Sequence, residues 1–267
     1  MEPNFYLEKD FRMIKEININ SLTSFTNAIE EYLNIDPNIK WFRGSGNAKE
    51  HKLEPSLFRH KKVKNSEIDV VDLEANIKRR FAQTSPPFYE GRIASNDFDA
   101  IFMQQHFGVP TRLLDWSENP FIALYFALSS SEKDKDAVVW MLDPIKWNKK
   151  SLNNQGLDRI PDTSFENARR FLSNPGDDFA MSDPIAIYGD HINSRITAQR
   201  GNFTMFCKSL TPMEDIGYAG DSLIKILIPS SEKDNLYKKM LSIGYTHSVI
   251  YPDFSGLSVE LKTYFGF

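Results

Sequence analysis

The chain lacks the marks of several protein classes. It has one cysteine, Cys207, among 267 residues, so no intrachain disulfide can form, and no CxxC or Cys/His zinc pattern occurs. Cys207 sits in a strand-like run and reads as a small buried apolar residue rather than a nucleophile. The longest apolar run, Phe121 to Leu128, falls far short of the ~20 residues that span a bilayer. Positive charge is not in excess. Lys and Arg number 32 against 36 Asp and Glu, a net charge of −4. That speaks against a bulk-cationic nucleic-acid coat and leaves room for a local basic groove. Met1 to Phe5 has neither a basic nor an apolar leader segment, so a cytoplasmic location is expected, with no membrane partner. There is no Walker A loop, GxGxxG, HExxH or GxSxG. The five histidines, at 51, 60, 106, 191 and 247, show no ligand spacing, so no metal is expected.

What is present is a globular composition, 41% hydrophobic and 25% charged. Helical periodicity and capping residues predict helices over 21–33, 66–83, 97–107, 117–130, 231–243 and 257–264. Ser21, Ser66 and Ser117 read as their N-caps where one is evident. Short apolar runs predict strands over 39–42, 137–142, 185–188, 203–207, 223–228 and 248–251, the first ending in a turn at Gly44 and Gly46. Residues 145–183 read as a polar insertion with one helix near 164–172. No linker divides residues 1–267, so a single α+β domain is expected, with helices packed on a mixed, mainly antiparallel sheet.

Four stretches carry chemistry. In Trp41-Phe42-Arg43-Gly44-Ser45-Gly46 an arginine ends a buried strand. Its guanidinium either clamps an anion or forms an internal bridge to an aspartate. The glycines allow another group to approach the backbone closely. In Gln105-His106-Phe107-Gly108-Val109-Pro110-Thr111-Arg112-Leu113-Leu114-Asp115-Trp116 charge is scarce. Between 100 and 131 only Arg112, Asp115 and Glu118 are charged. Arg112 and Asp115 are therefore expected to pair with each other or with Arg43. His106 ends a helix, where the dipole favours its protonated form. Residues 98–126 also concentrate seven aromatic rings. In the third stretch, Ala198-Gln199-Arg200-Gly201-Asn202-Phe203-Thr204, Gln199 could read a ribose or base edge. In the fourth, Tyr251-Pro252-Asp253, Asp253 or Ser255 caps the last helix.

Together and in this order, these stretches resemble the FRG domain, whose name matches Phe42-Arg43-Gly44. The resemblance runs over about 20–265 and extends through Asn119-Pro120 and Ala123-Leu124-Tyr125-Phe126-Ala127. The family occurs in bacteria and phages, often near mobile or defence genes. The order of motifs also resembles toxin-type ADP-ribosyltransferases, which implies a related fold and NAD as substrate. On that resemblance Arg43, with Gly44, Ser45, Thr111 and Arg112, would hold the NAD phosphates. Trp116 or Tyr125 would pack on the nicotinamide. Gln199, Asp115 and His106 would carry the chemistry. The Ser-Thr-Ser of those toxins is absent, and no Glu-x-Glu precedes Gln199. The expectation is an ADP-ribosyltransferase-like effector of a phage-defence or toxin system, acting on a protein or nucleic-acid target, with an antitoxin or defence-system partner. The alternatives are a non-catalytic nucleotide or nucleic-acid binding module, and a nuclease drawing on Asp97, Asp99, Asp115 and Asp253.

Overall fold

A wholly apolar strand lies inside the sheet. Ala137–Leu142 forms β4 with all six side chains buried, as a strand covered on both faces must have. The computed structural model describes residues 12–38, 40–88, 97–152, 159–162, 183–189, 194–207 and 209–267. Before β4 come β1 (Lys15–Asn18), α1 (Leu22–Ile35), β2 (Trp41–Ser45), α2 (Lys61–Lys64), α3 (Val70–Thr84), α4 (Asp97–His106), β3 (Leu113–Ser117) and α5 (Pro120–Leu128). After it come α6 (Pro144–Ser151), β5 (Ile185–Ile187), α7 (Ser194–Gln199), β6 (Gly201–Met205), β7 (Leu223–Ile228), α8 (Ser230–Ser242), α9 (His247–Ile250) and α10 (Phe254–Phe265).

The strands make one seven-stranded mixed sheet in the order β1-β7-β4-β2-β3-β6-β5. The β1–β7 pair is parallel and the other neighbours are antiparallel. This is the α+β domain that the sequence predicts. One face of the sheet, with Phe42, Val139, Met141 and Ile226, is covered by apolar residues of α1, α5 and α8. The other face gathers all four tryptophans, Trp41, Trp116, Trp140 and Trp147, under Leu53, Leu57 and Phe58.

The ladder is uneven. β2 shares five register pairs with β4, and β3 shares five with β6. Between β2 and β3 there is one pair, Phe42 with Ser117. Two well-paired half-sheets therefore meet at one point and part beyond it.

Helix α5 holds that region in place. A side chain at Gly44 would put its Cβ 1.7 Å from the Ala123 carbonyl oxygen, so α5 lies directly on the β2 backbone. The group that approaches this glycine is the protein's own helix. Beyond β2, the buried Lys233 of α8 donates to the carbonyls of Gly46 (2.9 Å), Glu132 (2.5 Å) and Lys135 (3.0 Å). All three ammonium protons are used, which is what a fully buried lysine requires.

Several local expectations change. Gly44 lies within β2, not in a turn. Asp69 caps α3 by accepting from Val71 N, while Ser66 adopts a left-handed φ of 57°. Asn119 caps α5, because Ser117 is already committed to β3. Residues 247–250 form a helical turn, α9, rather than a strand. The sheet ends at β1 and β5, so no ladder reaches them. Strand β1 is polar and the sequence gives no signal for it. The helix expected near 164–172 lies outside the described residues. Among the described residues, no helix is long and apolar enough to cross a membrane.

Candidate functional site

Arg43 follows Phe42 on β2, at the point where β2 leaves β3. Its Nη1 donates to the Asp115 carbonyl oxygen at 2.7 Å and lies 3.8 Å from the Asp115 carboxylate. A guanidinium thus straps the parted strands where backbone hydrogen bonds do not. Burial lowers its pKa, Asp115 opposes that shift, and the nearby Arg59 charge adds to it. Arginine keeps its proton regardless.

Asp115 is positioned from behind. Gln105 Nε2 donates to both carboxylate oxygens at 2.9 Å. The Gln105 carbonyl accepts from the buried Thr111 hydroxyl, which itself accepts from Leu113 N at 3.1 Å. The run Thr111–Gln105–Asp115–Arg43 is therefore one hydrogen-bonded chain. Asp115 remains half-exposed, with 56% of its side chain accessible.

Between the parted strands lies a cleft of about 420 Å³, within the ~300–1,000 Å³ of small-ligand sites. Its permanently charged lining residues are Arg43, Lys52, Arg59, Arg195 and one carboxylate, Asp115. Lys52 is balanced by Asp215 at 3.3 Å and Glu214 at 3.7 Å. Arg195 lies over the Tyr251 ring at 4.5 Å. Arg59 is exposed and makes no ion pair among the described residues. The local field is positive in a chain whose net charge is −4, and a concave wall concentrates such a field.

His106 also lines the cleft, with a buried Nδ1 that has no hydrogen-bond partner among the described residues. Burial first, then the Arg195 charge, lower its pKa below 6.5, with Asp253 opposing. The imidazole is therefore neutral at pH 7. Burial and a facing guanidinium thus act against the helix dipole, which favours the protonated form.

The remaining candidates separate. Gly44, Ser45 and Trp116 line the cleft with Gln199. Ser45 Oγ meets His51 Nδ1 at 2.8 Å, and the buried Trp116 donates through Nε1 to Thr204 at 3.0 Å. Gln199 sits at the end of α7, and its Nε2 donates to the Ile250 carbonyl at 3.0 Å. Arg112 is not at the cleft and does not pair with Asp115. It is buried against Glu74 of α3, through Nε at 2.8 Å and through Nη2. Tyr125 is in the core of α5, its hydroxyl 2.9 Å from His247 Nδ1. Burial raises the Cys207 thiol to about 11, so it is no nucleophile at neutral pH.

Sequence reasoning missed Gln105 as a positioning residue, and Lys52, Arg59 and Arg195 as cleft cations. Only Gln105 carried a signal, as one of two adjacent amides in the charge-poor stretch. It also missed Glu74, although Glu74 lies four residues after Val70 and three before Ile77, on the buried stripe of α3. Among the described residues, no group of three or more His, Cys, Asp or Glu is placed to hold a metal ion.

Fold and site together define an α+β domain whose sheet opens into a cation-lined cleft under an aromatic-Arg-Gly strand. Residues 38–136 match the family model of the FRG domain. The match contains β2, β3 and α5, three of the elements that line the cleft. No curated protein and no solved structure matches the chain.

Proposed function

We propose that the cleft binds NAD and that the protein is an ADP-ribosyltransferase-like enzyme. The observation that supports this is the convergence of Arg43, Arg59 and Arg195 around Asp115 in a small cleft. In this reading the arginines take the pyrophosphate, as planar forks of donors suit phosphate oxygens. The Asp115 carboxylate faces the ribose. The C1′–N bond breaks, nicotinamide leaves with the bonding pair, and positive charge develops on the sugar. A fixed carboxylate stabilises that charge. The nucleophile of the target then bonds to C1′ and gives its proton to neutral His106. Asp115 takes the part that the motif order suggested for Gln199, whose amide nitrogen is engaged by Ile250. The target is a protein or nucleic acid. In this reading the enzyme works in the cytoplasm of a bacterium, in a defence or toxin role that an antitoxin or defence-system partner would restrain.

Incubation with NAD should release nicotinamide, followed by chromatography. Asp115→Asn should abolish release and keep the NAD-induced rise in melting temperature. Arg43→Ala should lose both. No release and no thermal shift from NAD would overturn the proposal. A shift without release would favour a nucleotide-binding module, a reading to which the hydrogen bonds from Gln105 to both Asp115 carboxylate oxygens also point.

A further inference from the structure

The segment that leads out of the cleft has an unbalanced charge. From Pro55 to Ser66 there is no carboxylate, while Arg59, Lys61, Lys62 and Lys64 are cationic and His60 lies between them. Lys64 is neutralised by Glu54 at 2.7 Å. Arg59, Lys61 and Lys62 make no ion pair among the described residues, and all three are exposed together with His60. The ridge is not a loose tail. Leu57, Phe58 and Val63 on either side are buried to 2% or less. Those anchors fix the backbone and leave the cations in solvent. At one end Arg59 lines the cleft together with Arg43, whose guanidinium feels the Arg59 charge. Two guanidiniums held near each other are relieved by an anion between them.

We infer that this ridge binds a single-stranded nucleic acid, laying its phosphates along residues 59–62 and directing one nucleotide to the cleft mouth. A row of fixed cations running into a concave site suits a phosphodiester backbone. A cleft of about 420 Å³ admits a nucleotide and not the width of a duplex. An anionic membrane fits less well, since the apolar residues beside the ridge are buried and none can enter lipid. The inference narrows the macromolecular target of the proposed transferase, and it rests on that reading only for the strand's role as acceptor. Strand binding stands or falls by itself.

The test uses the full chain and a fluorescein-labelled thymidylate or uridylate strand about twelve nucleotides long, read by anisotropy. Three or four phosphate contacts should weaken binding by about twentyfold to fiftyfold as salt rises from about 50 to about 200 mM. Lys61→Glu with Lys62→Glu should weaken strand binding by at least tenfold, by the loss of two such contacts, with the NAD-induced thermal shift unchanged. A duplex of the same length should bind more weakly. Absence of strand binding at low salt, equal binding by the double variant, or preference for phosphatidylglycerol vesicles would each overturn the inference. Failure of the NAD proposal would show separately, as a missing thermal shift with strand binding intact.

Discussion

Arg43 and Arg112 lie in the two motif stretches and have opposite surroundings. Arg112 is enclosed and meets a carboxylate, Glu74, that is enclosed too. Its charge is consumed inside the protein. Arg43 meets a carbonyl and the edge of an accessible carboxylate, and a second guanidinium stands opposite. Its charge is only partly answered. The difference teaches that an arginine in a charge-poor motif becomes a binding group when its internal partner leaves part of the fork unspent.

Breaking the enclosed pair should have the largest effect. Arg112→Ala or Glu74→Ala strands a buried charge and should cost about 3–5 kcal/mol in urea unfolding. The double change Arg112→Met with Glu74→Leu should recover most of it, because an apolar pair needs no desolvation. If the single variants unfold like the wild type, the contrast between the two arginines fails. Next comes the seat of α5. Gly44→Ala drives a Cβ into the backbone of Ala123 and should cost about 3 kcal/mol, since overpacking against main chain cannot relax by a rotamer change. Arg43→Ala sharpens the comparison from the other side. It removes one charged hydrogen bond at a partly exposed site, so stability should fall by about 1 kcal/mol. NAD binding should fall by tenfold or more, measured by calorimetry.

The smallest effect concerns His106. Its folded pKa is below the ordinary 6.5. Below about pH 6.5 the unfolded chain therefore holds more protons than the folded one, and stability falls as pH falls. Above that pH the contribution is fully present. His106→Gln should flatten the melting temperature against pH between about 5 and 7. An unchanged slope would show that the imidazole is not held neutral.

Much of the fold was legible because its signals are local. The stripe of Leu22, Phe25 and Ile29 behind Ser21 gives α1, and the unbroken apolar run of 137–142 gives β4. What failed depends on distant partners. Asp115 and Ser117 interrupt the pattern of β3, which is a strand because β6 pairs with it. Val249, Ile250 and Tyr251 are β-branched or aromatic but find no free ladder among the described residues. At the site, the motifs pointed to Arg43, His106, Asp115 and Gln199, and all four line the cleft. Arg112, Thr111 and Tyr125 share those motifs and face inward. Adjacency in sequence cannot tell the two faces of an element apart when both are apolar. Arg59 and Arg195 join the cleft through the tertiary fold alone.

The single register pair between β2 and β3 has a mechanical consequence. With Phe42 and Ser117 as the pivot, the aperture between the half-sheets is set by a side-chain latch, Arg43 on the Asp115 carbonyl. A backbone ladder would resist opening with several bonds at once. One charged hydrogen bond at this partly exposed site resists with about 1 kcal/mol, well within the binding energy of a small anion. A ligand that draws the guanidinium away from Asp115 unfastens the latch as it binds, so occupancy and aperture change together.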